Sequence, residues 1–180
     1  AGMAMAVTHI SAATGSLVWL CIEWVKFGKP SLVGVVTGMV AGLATITPAS
    51  GFVGPMGALI IGLAGGLVCY YAVGLIKHKL KIDDSLDVFA VHGVGGAIGT
   101  LLVAFLVDTS FGGGGLAEGM TMGSQFGVQL TGLIAVLVWS LVASFILVKI
   151  VQALVGLRVS DDEELEGLDV TSHGETGYNL

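Results

Sequence analysis

Apolar residues fill five long blocks of this chain, roughly 4–27, 32–47, 55–76, 88–107 and 130–155, and most charged positions lie between or beyond them. A helix rising 1.5 Å per residue crosses ~30 Å of hydrocarbon in about 20 residues, so the blocks are read as membrane-spanning helices. The second is short for a full crossing and ends at Thr47-Pro48; a helix normal to the membrane, or an end sheltered by protein, accommodates that length. The breaks carry helix breakers or charge: Gly28-Lys29-Pro30, Pro48-Ala49-Ser50-Gly51 with Gly54-Pro55, Lys77 to Lys81, and Gly112 to Gly115. The pattern predicts an all-α, polytopic transmembrane bundle of five spans over 1–157 and a tail over 158–180.

Composition sharpens this. Charged residues are 11% of the chain and its mean hydropathy is +0.95, values that exclude an ordinary soluble domain. The net charge of -6 is uneven: residues 1–157 hold six lysines against six acids, whereas 158–180 hold Arg158 against seven acids. The acidity therefore describes a short solvated tail and gives no reason to expect a nucleic-acid partner. Cys21 and Cys69 fall inside apolar runs and are expected to be small buried hydrophobes, not a disulfide pair. The chain opens at Ala1-Gly2-Met3 already in an apolar run, without a basic leader, which is expected of the later part of a longer protein and not of a signal peptide.

Charge also predicts orientation. Lys26 and Lys29 follow span one, Lys77, Lys79 and Lys81 follow span three, and Lys149 and Arg158 mark the end of span five. The alternate loops, 48–54 and 108–125, contain no lysine or arginine. The positive-inside rule then places the N-terminal end outside a cell (inner) membrane and the tail in the cytoplasm. Small residues recur at four-residue spacing at Gly34, Gly38 and Gly42, at Ala58, Gly62 and Gly66, and at Gly95 and Gly99. Such stripes let backbones approach closely in lipid, so spans two to four are expected to form the packed interior. Span five has no glycine after Leu133 and is expected to be an outer helix.

The chemistry concentrates in Asp83-Asp84-Ser85-Leu86-Asp87-Val88-Phe89-Ala90-Val91-His92-Gly93-Val94-Gly95-Gly96, where His92 is the only ionisable group from Val88 to Val107. An ionisable side chain inside a span is costly without a partner or a polar cavity, so it is read as functional, although a satisfied interior histidine is the plain alternative. At helical spacing His92 shares a face with Val88, Phe89, Gly95, Gly96 and Gly99, which leaves room for a solute. A neutral imidazole both donates and accepts, which suits a polar or proton-exchanging solute. Asp84 and Asp87 read as N-cap and N3 of that helix, or as a vestibule at the cytoplasmic mouth.

Other features have plainer readings. Glu23 and Trp24, beside Lys26, look like interfacial anchors. His9, in span one, raises bis-imidazole haem ligation with His92 as a rival function. Counted from Lys26 and Lys81, the two rings differ in depth by about 9 Å, which does not suit two axial ligands of one iron. No metal, cofactor or enzymatic activity is expected. Phe111 to Gly115 lacks the strand and the Gly-Lys-Ser/Thr of a phosphate loop. In the tail, Ser160-Asp161-Asp162-Glu163 is a capping-box pattern with Gly167 as its stop.

Several of these stretches together resemble the ammonium transporter (Amt) family over the whole chain: Gly28-Lys29-Pro30-Ser31, Gly42 to Gly51, Asp83 to Gly96, Gly156-Leu157-Arg158-Val159, Glu166-Gly167-Leu168-Asp169 and His173-Gly174-Glu175. The resemblance implies the last five of eleven helices plus the cytoplasmic tail. It further implies a homotrimer in the full-length protein, each protomer built of two inverted five-helix repeats around its own pore. His92 then matches the second of the family's paired pore histidines, with Phe89, Val88, Gly95 and Gly96 beside it, and Asp84 matches a structural aspartate by symmetry. The tail, with Arg158, Asp161, Glu163, Gly167, Asp169, His173 and Glu175, is similar to a segment that docks a PII-type signalling protein. One departure is Val7, where the family often has asparagine before Thr8; the first pore histidine, the phenylalanine gate and the outer recruitment site belong to helices outside these residues.

The function implied is passage of ammonium, deprotonated to ammonia, through a narrow pore with a histidine relay. Two other classes remain: an ammonium sensor or docking module acting through the tail, and a haem-bearing membrane redox subunit.

Overall fold

A computed structural model describes residues 1–177, and only helices and turns occur among them. Helix α1 spans Gly2–Phe27, α2 Leu32–Ile46 and α3 Pro55–Gly74, which continues into a π-helical turn at Leu75–Lys79. A second π turn, Phe89–Gly93, leads into α4, Val94–Leu106; α5 spans Met122–Leu154, and the tail holds α6, Asp161–Glu166, and α7, Leu168–His173. Four of these segments are long and apolar enough to cross a membrane, and Leu32–Ile46 is the shorter fifth.

Local chemistry sets the ends. α1 stops at Gly28, whose φ of 76° lets its N–H return to the Trp24 carbonyl. Ser31 caps α2 by accepting the Gly34 N–H at 2.9 Å. Pro55 opens α3, where its missing N–H costs nothing. α5 begins eight residues before the expected Leu130, because Thr121 and Ser124 cap one another: the Ser124 N–H donates to the Thr121 hydroxyl at 3.1 Å and the Thr121 N–H to the Ser124 hydroxyl at 2.8 Å. The polar Ser124, Gln125 and Gln129 masked that start in the hydropathy pattern.

Two compact units divide the described chain, residues 1–134 and the remainder. In the first, α1 lies antiparallel to α2. Ser11 Oγ donates to the buried Gly42 carbonyl at 2.8 Å, Ser16 Oγ donates to the Val35 carbonyl at 3.1 Å, and Glu23 reaches Ser31. A Cβ on Gly42 would overlap the Ser11 carbonyl oxygen, one on Gly38 would meet Trp19 and Gly15, and one on Gly62 or Gly66 would run into α1 at Ser11 and Thr14 or at Gly15 and Val18. The expected small-residue stripes of α2 and α3 are therefore contact seams, but their main partner is α1, with its own Gly15 and Ser11 at the crossing. Lipid is as apolar as leucine, so the usual ~25 cal/mol per Å² gained by leaving water does not hold these helices together; close backbone approach does.

One end of this unit carries Val7, Ile46, Ala49, Val53, Ile61, Val103 and Leu106 as a buried cluster. There the loops zip together: the Gly114 N–H donates to the Phe52 carbonyl at 2.9 Å and the Gly115 N–H to that of Val107 at 2.8 Å. Gly112 to Gly115 is thus a loop closure. At the opposite end the Lys26 ammonium lies 4.6 Å and 4.7 Å from the ring centres of Tyr70 and Tyr71 on α3. Cys69 is buried as expected, whereas Cys21 is exposed, a correction to its sequence reading.

Helix α5, which runs from the first unit into the second, has no buried residue. In the second unit Ser160 and Glu163 form the capping box of α6, and Gly167, with φ 101°, separates α6 from α7. Residues 178–180 of the expected tail lie outside the described residues.

Candidate functional site

His92 occupies the fourth position of the π turn Phe89–Gly93, in which the Val94 N–H reaches back five residues to the Phe89 carbonyl. The imidazole is exposed and makes no hydrogen bond among the described residues. Such a turn contains one residue more than an α-helical turn, so the downstream faces shift by about one position. The structure therefore splits the expected glycine face. Gly95 and Gly99 are buried: a Cβ on Gly95 would stand 2.9 Å from Thr45 Oγ1 and 3.2 Å from Cys69 Sγ, and one on Gly99 would overlap the Thr45 carbonyl oxygen. A Cβ on Gly96 would meet nothing within 4 Å. Gly95 is a packing position in this chain, and Gly96 stays with exposed His92, Val88 and Phe89 on the open side.

Both aspartates precede this helix instead of serving as its N-cap and N3. Asp84 reaches forward, its carboxylate accepting the Phe89 N–H at 3.2 Å and the Ala90 N–H at 3.0 Å. Desolvation pushes its pKa up, but these donors, the Val88 N–H and the Lys77 charge outweigh that and hold it below the usual carboxylate value. Asp87 takes a left-handed φ of 56°, its carbonyl accepts the Val91 N–H at 2.8 Å, and its carboxylate pairs with Lys77 at 2.7 Å. Lys77 also donates to the Ser85 carbonyl at 3.3 Å. The segment before His92 is thus anchored by two carboxylates and one lysine.

A cavity of about 1010 Å³ is lined by Trp19, Lys26, Tyr70, Tyr71 and Phe89 among others, and His92 is not among its lining residues. His9 is apart from this site as well: its Nδ1 donates to the Met5 carbonyl of its own helix at 2.9 Å. Glu23, read as an interfacial anchor, has in addition a partner across the α1–α2 turn: its carboxylate accepts the Ser31 N–H at 2.6 Å and the Ser31 hydroxyl at 3.2 Å.

In the tail, Arg158 pairs with Glu164 at 3.1 Å, and Asp161 and Glu163 lie in the first turn of α6. The Ser160 hydroxyl and N–H hold the Glu163 carboxyl below its usual value. Asp169 lies in the first turn of α7 and its carbonyl accepts the Glu175 N–H at 2.8 Å, while His173 closes that helix before Gly174. Sequence reading missed Cys69, Lys77 and Thr45 around the His92 turn; Lys77 lies in a charged loop and the other two in apolar helices, and only their contacts single them out.

Apolar helices of spanning length, joined by backbone contacts too close for a side chain, define a polytopic integral membrane protein. The chain belongs to the Ammonium Transporter Family, whose sequence profile matches residues 1–178. It is 45% identical over 177 residues to the ammonium transporter Amt1 of Archaeoglobus fulgidus, covering 97% of this chain and 44% of that protein. Among solved structures, one described as a sensor Amt protein superposes with a TM-score of 0.84 at 35% identity, over 94% of this chain and 41% of that one. The crystal structure of Saccharomyces cerevisiae Mep2 gives 0.77 at 36% identity, over 89% and 38%. The chain spans less than half the length of these relatives.

Proposed function

We propose that these helices form one half of an ammonium pathway, with His92 as the proton-exchanging group beside it. An unpaired cation in a dry passage costs on the order of tens of kcal/mol by Born estimates, far more than a neutral hydrogen-bonding molecule. Ammonium accordingly gives up its proton near the outer mouth, ammonia passes along His92, Val88, Phe89 and Gly96, and the proton travels separately through imidazole and water. The observation that carries this reading is His92 itself: an ionisable ring in a spanning segment, exposed and free of any hydrogen bond among the described residues. The activity is transport and not catalysis. Family membership and the relatives named as ammonium transporters support ammonium as the solute.

The full-length protein is proposed to be a homotrimer in the cell (inner) membrane, with Ala1 towards the outside and the acidic tail in the cytoplasm. The shared end of Lys26, Lys29, Lys77, Lys79 and Lys81 supports that orientation. The test is His92→Ala in the intact transporter, measured as ammonium uptake and selectivity over potassium; unchanged values for both would remove His92 from the pathway.

A second reading is favoured by the order in the tail, where a capping box and two short helices stand in an otherwise exposed acidic segment. Here α6 and α7, with Arg158, Asp161, Glu163, Gly167, Asp169, His173 and Glu175, present a surface for a PII-type signalling protein. Deleting 160–180 separates the two roles: regulation disappears while the pore persists. An absorbance spectrum with a Soret band would point instead to the haem-bearing alternative.

A further inference from the structure

Cys69 has no part in the pathway just described, yet it touches the turn that carries His92. Its thiol, buried in the last third of α3, donates to the Val91 carbonyl at 3.8 Å, one residue before the imidazole. The Val94 N–H is divided between the Phe89 and Val91 carbonyls, so the π turn spends one backbone donor on two acceptors. The thiol supplies the Val91 oxygen with a donor from a neighbouring helix, as backbone groups loosened from an α-helical ladder require in an apolar setting. Thr45 of α2, whose hydroxyl donates to the Ala41 carbonyl at 2.8 Å, faces the same spot, and Gly95 leaves room for both side chains. Side chains of α2 and α3 therefore meet the start of α4 at Gly95, beside a sulfur bonded one residue before His92.

We propose that Cys69 is a positioning residue for His92: its hydrogen bond to Val91 fixes the π turn, and the turn fixes the direction of the ring. The assignment rests on the reading of His92 as the pathway group. It predicts that sulfur matters here as a donor and not as a nucleophile or a packing atom, so serine can replace it and an apolar side chain cannot.

The test uses the full-length protein in vesicles with Cys69→Ala, Cys69→Ser and His92→Ala, together with NMR of isotope-labelled histidine. Loss of one weak hydrogen bond corresponds to about a three- to fivefold change, so Cys69→Ala lowers uptake by that factor and displaces its pH profile. The same substitution moves the His92 resonances, and Cys69→Ser returns uptake, pH profile and resonances towards wild type. Should Cys69→Ala fail to assemble, Cys69→Val, which fills the volume without a donor, takes its place in the comparison. Wild-type resonances and pH profile in the donor-free variant overturn the proposal, as does Cys69→Ser behaving like Cys69→Ala. If His92→Ala leaves uptake unchanged, the pathway reading falls, while the NMR comparison still decides whether Cys69 orients the ring.

Discussion

The Lys77 ammonium lies 2.7 Å from the Asp87 carboxylate, tying the turn after α3 to the loop that leads into the His92 helix. The two side chains are 30% and 19% exposed, so water screens the pair only in part. A double-mutant cycle with Lys77→Met and Asp87→Asn is expected to give a coupling of about 1 kcal/mol, the upper end for such pairs. Thermal stability of the purified protein measures it, and the coupling shrinks at high salt; a value near zero means the loop is held by its backbone bonds alone.

Asp84 makes stability depend on pH. Its folded-state pKa is lowered, so the stabilisation is complete above the ordinary carboxylate value and is lost as pH falls through that value towards the lowered one. Stability followed from about pH 7 down to about pH 3 is expected to fall more steeply in wild type than in Asp84→Asn, which starts lower and responds less. Parallel curves would show that the carboxylate charge does not hold the turn.

Gly99 and Gly96 form a matched pair. An added methyl at Gly99 strikes the Thr45 backbone oxygen, which cannot swing aside, so Gly99→Ala is expected to cost about 3 kcal/mol or more. Gly96→Ala meets open space in this chain and is expected to change helix stability by about 0.5 kcal/mol at most. In the intact transporter Gly96→Ala should instead reduce uptake, because it narrows the proposed path. Equal stability losses from the two substitutions would contradict the split between packing and open faces.

Glu23 offers a fourth test. Its carboxylate accepts two bonds from Ser31 at the positive end of α2, so Glu23→Ala is expected to cost about 1 kcal/mol and Glu23→Gln less. The Gly34 Cβ position overlaps the same carboxylate, and Gly34→Ala should reproduce part of the loss by displacing it. Thermal denaturation of the three variants checks the order; an interfacial anchor would show no link between Gly34 and Glu23.

By itself the sequence determined what depends on composition and local chemistry. The apolar blocks locate the helices, Gly28 and Pro55 set their ends, and the capping box at Ser160 and Glu163 lies in the spacing of two residues. The family words around His92 were equally legible. Tertiary structure alone decided which faces those helices present. A strict helical count puts His92 over Gly95 and Gly99, but the π turn adds a residue and leaves the ring with Gly96, while Gly95 and Gly99 close on Thr45. Nothing in the spacing announces a five-residue hydrogen bond, because it is held from outside the segment. Asp84 pulls on the Phe89 and Ala90 amides, and Cys69, 22 positions away in sequence, bonds Val91. The bond from Ser31 to Glu23 likewise exists only because the α1–α2 turn brings the two together. Side-chain type is fixed residue by residue, whereas direction is fixed by partners that only the packed helices bring within reach.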